Sequence, residues 1–283
     1  MKVLVIVHVF YPDLWPELAD CIRNIGDCDL VVTYVDEASV ASARRDFPAA
    51  RFVLCENRGY DVGPFLKALR ASDLPAYDLV VKLHTKRDIV CPWWKVVGYA
   101  RLNGSAWRDY LLAFVKTPDA WKRTRTRFRD PSVGMVADRH VILTRRDAKR
   151  GEYVETFDAA ARELNVRLGI PADRHGRFAG GTMFAARAAL LQPFVALPFA
   201  TEAFAESRGH DVETRAHVLE RMFGLAVGGQ GQRVEGFDGS FRLWRIAHAI
   251  GRFIWDSRLT ERRRSVRICG ITVYIRRLQG ASA

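Results

Sequence analysis

Four apolar runs of strand length, separated by segments with helical spacing, constrain this chain more than any other feature. The runs cover residues 3–9, 30–35, 51–55 and 79–83, with helical stretches over 14–24, 40–46 and 63–71 between them. Runs that are apolar at successive positions suit strands buried on both faces, and their alternation with helices predicts an α/β sheet covered by helices on either side. Further along, the spacing predicts helices over 107–115, 117–129, 153–168 and 210–223, and strands over 135–143 and 182–185. Glycines 228, 229 and 231 then break the pattern. We read residues 1–230 as one domain with a mostly parallel central sheet, and 231–283 as a C-terminal extension.

That extension is basic. Between Arg242 and Arg277 ten arginines face only Asp256 and Glu261, so the segment carries 10 − 2 = +8 of the chain's formal +12. Leu243, Ile246, Ala247, Ile250, Phe253 and Ile254 recur at helical spacing among Arg242, Arg245 and Arg252, flanked by Trp244 and Trp255. Such a basic amphipathic tail suits an interfacial helix on an anionic membrane; a helix packed on the core with a solvated basic face fits the same spacing. No nucleic-acid motif accompanies the charge, so nucleic acid is not an expected partner.

The N-terminal run of residues 1–10 is short and is followed by Tyr11-Pro12-Asp13 without a small-residue cleavage site, so it reads as a first strand rather than a signal peptide. No stretch has the roughly 18–20 apolar residues needed to cross a bilayer. Cys21, Cys28, Cys55, Cys91 and Cys269 show neither pairing nor metal-ligand spacing and suit free thiols in a reducing compartment. The expected location is the cytoplasm, at the periphery of the inner membrane.

Two segments carry chemistry. Residues 56–65, Glu-Asn-Arg-Gly-Tyr-Asp-Val-Gly-Pro-Phe, form a glycine-bearing turn that leaves a strand and enters a helix, where backbone can approach an anion. In residues 77–87 the strand period puts Lys82 and His84 on one face, with Lys86 and Arg87 where the strand ends. Open α/β sheets bind ligands beyond the carboxyl ends of their strands, and four potential cations there would suit a diphosphate. A lysine inside a buried strand also demands a partner.

These blocks resemble the rhamnan synthesis protein F family. The resemblance rests on residues 8–15 (His-Val-Phe-Tyr-Pro-Asp-Leu-Trp), 57–66, 82–87 (Lys-Leu-His-Thr-Lys-Arg), 179–184 (Ala-Gly-Gly-Thr-Met-Phe) and 216–224. It implies a role in rhamnose-containing polysaccharide or lipopolysaccharide synthesis and a glycosyltransferase-like activity. The layout is also similar to a diverged GT-A glycosyltransferase. That likeness implies donor contacts from His8, Tyr11, Asp36, Asn57, Arg58, Gly59 and Asp61, with Lys82, His84, Thr85, Lys86 and Arg87 replacing the Asp-x-Asp motif. Asp27-Cys28-Asp29 precedes the second strand and is a decoy.

Without a carboxylate pair, no divalent metal or other cofactor is expected, and fixed cations would neutralise the leaving diphosphate. Gly180, Gly181 and Thr182 are expected beside the sugar or acceptor. The base that deprotonates the acceptor is expected among Asp211, Glu213, His217 and Glu220, of which Glu213, His217 and Glu220 share a helix face. Glu220 could equally pair with an arginine and hold the site together. The expected donor is a nucleotide sugar, with dTDP-rhamnose the one the resemblance implies, and the acceptor a lipid-linked saccharide. An inactive sugar-nucleotide-fold scaffold of a polysaccharide assembly complex is the alternative.

Overall fold

The structure, a computed structural model, describes residues 1–87, 106–144, 154–172, 176–197, 204, 215–238, 255–260, 263–269 and 271–277. Its first strands follow the apolar runs closely. β1 (Val3–Val9) is buried at every residue, and β2 (Asp29–Tyr34), β3 (Arg51–Leu54) and β4 (Leu79–His84) succeed it in chain order. α1 (Trp15–Ile25), α2 (Ala41–Asp46) and α3 (Val62–Arg70) connect them. α1 shows why these segments are helical: Trp15, Leu18, Ala19, Cys21, Ile22 and Ile25 form one apolar stripe, and all six are buried.

α4 (Ala106–Leu112) and α5 (Pro118–Arg127) follow, the latter capped by the Thr117 hydroxyl on the Ala120 N–H. Where the apolar pattern predicts one strand over 135–143, the chain makes two, β5 (Val133–Asp138) and β6 (Ile142–Thr144). The break has a local cause: the Asp138 carboxylate accepts the His140 N–H at 2.8 Å and turns the chain. α6 (Val154–Leu168), β7 (Arg177–Ala179), β8 (Phe184–Arg187), α7 (Ala188–Val195), α8 (Arg215–Gly229) and β9 (Arg233–Phe237) complete this part of the chain.

Seven strands form the central sheet in the order β3-β2-β1-β4-β8-β5-β9. β1 pairs in parallel with β2 and β4, β2 with β3, and β5 with β9; only β8 runs antiparallel to its neighbours. β6 and β7 form a separate antiparallel pair. The architecture is therefore α/β, with a mostly parallel sheet flanked by helices. β9 lies beyond residue 230 and is part of this sheet, so the sheet runs on into the segment read from sequence as the extension.

The chain divides into two compact units, residues 1–86 with 110–237, and residues 87–109 with 238–283. In the second, β10 (Trp255–Thr260), β11 (Arg263–Ile268) and β12 (Ile271–Arg277) make an antiparallel sheet. The amphipathic helix expected from 243 to 254 lies outside the described residues. Among the described residues, Cys21, Cys28, Cys55 and Cys269 are free thiols, and no helix is long and apolar enough to cross a membrane.

Candidate functional site

The strand order reverses at β1. Leaving it, the chain builds β2 and β3 on one side and then places β4 on the other. A crevice at such a reversal, beyond the carboxyl ends of the strands, is where open α/β sheets bind ligands. Register brings the residues there together: His8 of β1 lies beside Thr33 of β2 and His84 of β4, and Ile6 beside Lys82. One sheet face thus carries a buried polar row at its carboxyl end.

Lys82 is 1% exposed, and its ammonium is met by the Asp61 carboxylate. The Thr182 hydroxyl completes a triangle, accepting from Lys82 Nζ at 2.9 Å and donating to Asp61 Oδ2. The Phe65 ring lies under the ammonium at 5.2 Å. Burial favours the neutral form of both partners and pulls Lys82 below its ordinary range, against the pull of Asp61. Burial alone would raise Asp61, but His84, Lys82 and Lys86 together hold its carboxyl below the usual range. The lysine expected as a free cation is therefore already matched by a carboxylate.

His84 is equally buried, and its Nδ1 lies 3.6 Å from the same Asp61 oxygen. Neither ring nitrogen has a hydrogen-bond partner among the described residues. Burial drives its imidazole well below the ordinary range, so it stands neutral. His8 is held down to about 4, again by burial. The Thr33 hydroxyl donates to the Val7 carbonyl at 3.3 Å, which leaves it to accept from His8 Nδ1 at 3.0 Å. His8 therefore carries its proton on Nδ1 and presents Nε2 as an acceptor.

The loop carrying Asp61 is shaped by local backbone. Gly59 (φ 71) and Tyr60 (φ 53) are both left-handed, and a Cβ on Gly59 would stand 2.7 Å from the Phe204 ring. Only glycine fits there. The turn ends with the Val62 and Gly63 N–H groups both on the Gly59 carbonyl at 3.0 Å, which starts α3 directly after Asp61. Arg58 donates to the Phe204 carbonyl at 3.2 Å and faces Glu56 at 3.3 Å, while Asn57 is exposed on the turn.

Opposite this loop, Gly181 (φ 81) and Thr182 (φ 52) form a second left-handed turn. A β-branched residue with positive φ is strained, and such strain persists only where the surroundings impose it. Glu220 of α8 supplies that constraint: its Oε1 accepts the Gly181 N–H at 2.6 Å and its Oε2 accepts from Arg221 Nη1 at 2.7 Å. Arg221 is itself buried, donates to the His217 carbonyl at 2.7 Å and lies over the Phe178 ring. Glu220 is thus paired with an arginine and with the backbone of the turn. His217 is half-buried one turn earlier, its ring 6.0 Å from Tyr60; burial lowers it, against the pull of Glu220.

The remaining expected residues are placed as follows in the fold. Thr85 stitches strand ends together: its hydroxyl accepts the Phe10 and Tyr11 N–H groups at 2.9 and 3.0 Å, and its own N–H reaches the His8 carbonyl. Asp36 caps a 3-10 turn through the Ser39 N–H at 2.9 Å, just past the end of β2. Lys86 follows β4 at the crevice, whereas Arg87 begins the second unit. Gly180 packs against Leu143. Asp211 and Glu213 lie outside the described residues. Asp29, of the formal Asp-x-Asp, binds Tyr77 Oη at 2.7 Å near the start of β2, at the opposite end of the strands.

Thr33, Phe65 and Phe204 were not foreseen as site residues, and Arg221 only as the unnamed arginine that Glu220 could pair with. The demand of buried Lys82 for a counter-charge was the one available signal, and it is met by Asp61. A hard divalent cation fits poorly at this crevice. It prefers several oxygen ligands, and among the described residues the crevice offers Asp61, already engaged, beside a lysine and imidazoles. No group of three metal-ligating side chains gathers among the described residues.

The chain is similar to two proteins called uncharacterized protein WxcX, from Xanthomonas campestris pv. campestris strains B100 and ATCC 33913, each 31% identical over 237 residues. The matched region is 81% of this chain but 32% of either relative, so the chain spans a minor part of their length. The family model described as rhamnan synthesis protein F matches residues 1–231, which contain the whole strand-end crevice and the α8 residues that brace it. With its motifs joined in one site and the match covering most of its length, the chain belongs to the rhamnan synthesis protein F family, which is implicated in rhamnan and polysaccharide synthesis.

Proposed function

We propose that this protein is a GT-A-like glycosyltransferase that moves a sugar from a nucleotide donor, dTDP-rhamnose being the first candidate, onto a growing cell-surface polysaccharide or lipopolysaccharide. The observation that carries the reading is the polar crevice at the β1/β4 strand ends, where Lys82, His84 and Asp61 stand in place of a metal-binding carboxylate pair. The sheet order, with its reversal at β1, supports a nucleotide at that position.

In this reading the diphosphate lies across the strand ends, near Lys82 and Lys86. Positive charge fixed in a water-poor site stabilises the leaving group as its charge develops, which is the work a divalent metal does elsewhere. Asn57, Arg58 and Gly59 border the donor, and the Gly180–Thr182 turn borders the sugar. His217, lowered by burial toward the neutral form, is suited to accept the acceptor's proton, with Asp211 and Glu213 the other candidates. Glu220 then holds the turn. The acceptor is a lipid-linked saccharide at the cytoplasmic face of the inner membrane, which the basic C-terminal strands would help the enzyme reach.

The test is binding and turnover of dTDP-rhamnose, UDP-glucose and GDP-mannose, with and without EDTA. One donor bound selectively in chelator, and transferred to a lipid-linked acceptor, is the expected result. A strict divalent-metal requirement would sink the cationic mechanism. A second reading, an inactive scaffold, draws on the internal neutralisation of Lys82 by Asp61; binding without turnover on any acceptor would favour it.

A further inference from the structure

We propose that His84 is the proton-accepting member of a diphosphate site at the β1/β4 crevice, gaining one proton from solvent as the anion binds. The inference rests on the nucleotide-sugar reading and adds to it a specific chemical event. Its basis is geometric: an imidazole 3% exposed, at the last residue of β4, has no hydrogen-bond partner for either ring nitrogen among the described residues and a carboxylate oxygen 3.6 Å away. Buried polar atoms without partners are uncommon and call for a physical reason.

Charge balance supplies the reason. The groups that act on His84 are Asp61 from the loop before α3, Lys82 and Lys86 from β4 and its end, and His8 from β1. Asp61 and Lys82 cancel, so a protonated His84 in the ligand-free protein would add an unmatched positive charge beside Lys86. Burial makes that costly, and the imidazole stays neutral. An arriving diphosphate brings two negative charges to the strand ends and reverses the balance. The imidazole lone pair then takes a proton, both ring nitrogens become donors, and one of them faces Asp61. The site thereby gains its cation only when an anion is there to match it.

Linkage gives the sign. A group whose pKa rises on binding makes the ligand bind more tightly as pH falls, by about tenfold per pH unit between its free and bound values. The experiment is calorimetric titration of dTDP-rhamnose, UDP-glucose and GDP-mannose, whose diphosphate diesters do not themselves titrate near neutrality, in buffers of different ionisation enthalpy across a pH series. The expected result is uptake approaching one proton per bound donor, with affinity rising on acidification, and loss of both in His84→Gln. In the unmodified protein the His84 ring nitrogens should move from neutral to imidazolium NMR shifts on donor addition, which decides the matter if the variant does not fold. Tight binding with no proton uptake, or uptake that survives His84→Gln, overturns the assignment while leaving the nucleotide-sugar reading in place. Absence of binding to every donor at every pH overturns both.

Discussion

A neutral imidazole inside a sheet makes a protein sensitive to acid, and the direction follows from the fold. His8 is held at about 4 by burial, against an ordinary 6.5, so between those values the unfolded chain binds a proton that the folded chain refuses. Its contribution to stability is complete above 6.5 and falls as pH drops toward 4, by about 3 kcal/mol in all. His84 acts in the same direction. Asp61 works lower: held below its ordinary 3.8, it favours the folded state above that value and stops doing so only in stronger acid. Urea midpoints should therefore begin to fall near 6.5, and His8→Gln should flatten part of that fall. A stability profile level down to pH 4 would contradict the buried neutral assignment. Glu220 separates bracing from catalysis. Removing one partner of a buried ion pair costs about 3–5 kcal/mol, so Glu220→Ala should lower stability by an amount of that order. A general base would instead lose turnover with stability unchanged, and denaturation measured alongside donor affinity tells the two apart.

Elements built from uniform runs were legible in the sequence; elements set by single contacts were not. β1 and β4 are apolar almost throughout because both faces are covered, and their positions could be read directly. The β5/β6 break depends on one aspartate accepting one N–H, which an apolar pattern does not register. β7, 3 residues long, is too short for periodicity, and the strand read over 182–185 is β8 two residues further on, so the turn between them that positions Thr182 was taken for strand. The same limit applies to the site. Lys82 announced a need for a partner, but nothing local identified Asp61, 21 residues earlier, or Thr182, 100 residues later. α8 against β7 offers a test at this scale. A Cβ on Gly224 would stand 2.3 Å from the Arg177 carbonyl oxygen and 2.4 Å from Phe178 Cα, both backbone atoms that cannot rotate away. Alanine gains about 1 kcal/mol over glycine in helix propensity, whereas overpacking costs about 1–3 kcal/mol and here displaces the helix that carries Glu220. Gly224→Ala should therefore destabilise the protein on chemical denaturation and weaken donor binding; a stabilised variant would show that the helix has room to shift.

At the scale of the whole molecule, the charge and the chemistry occupy different parts of the chain. In the crevice Asp61 matches Lys82, while β10, β11 and β12 carry six arginines against Asp256 alone. Exposed Ile268, Ile271, Val273 and Tyr274 accompany them, so this sheet joins apolar side chains open to solvent with a high positive charge. That combination fits an anionic lipid surface, where each arginine near the headgroups contributes about 1 kcal/mol and the exposed apolar groups add burial at the interface. Reversing Arg263, Arg264 and Arg267 to glutamate removes three such contributions, about 3 kcal/mol, and should weaken association with phosphatidylserine vesicles by roughly a hundredfold or more. The full chain should sediment with those vesicles, release as salt rises, and ignore neutral phosphatidylcholine vesicles. Equal binding to both lipids would mean that the arginines do not direct it. Salt-sensitive binding to random oligonucleotides in place of vesicles would assign the same charge to nucleic acid. Donor binding at the β1/β4 crevice should be unchanged in the triple variant, because none of its substitutions lies among the strand-end residues that build the crevice.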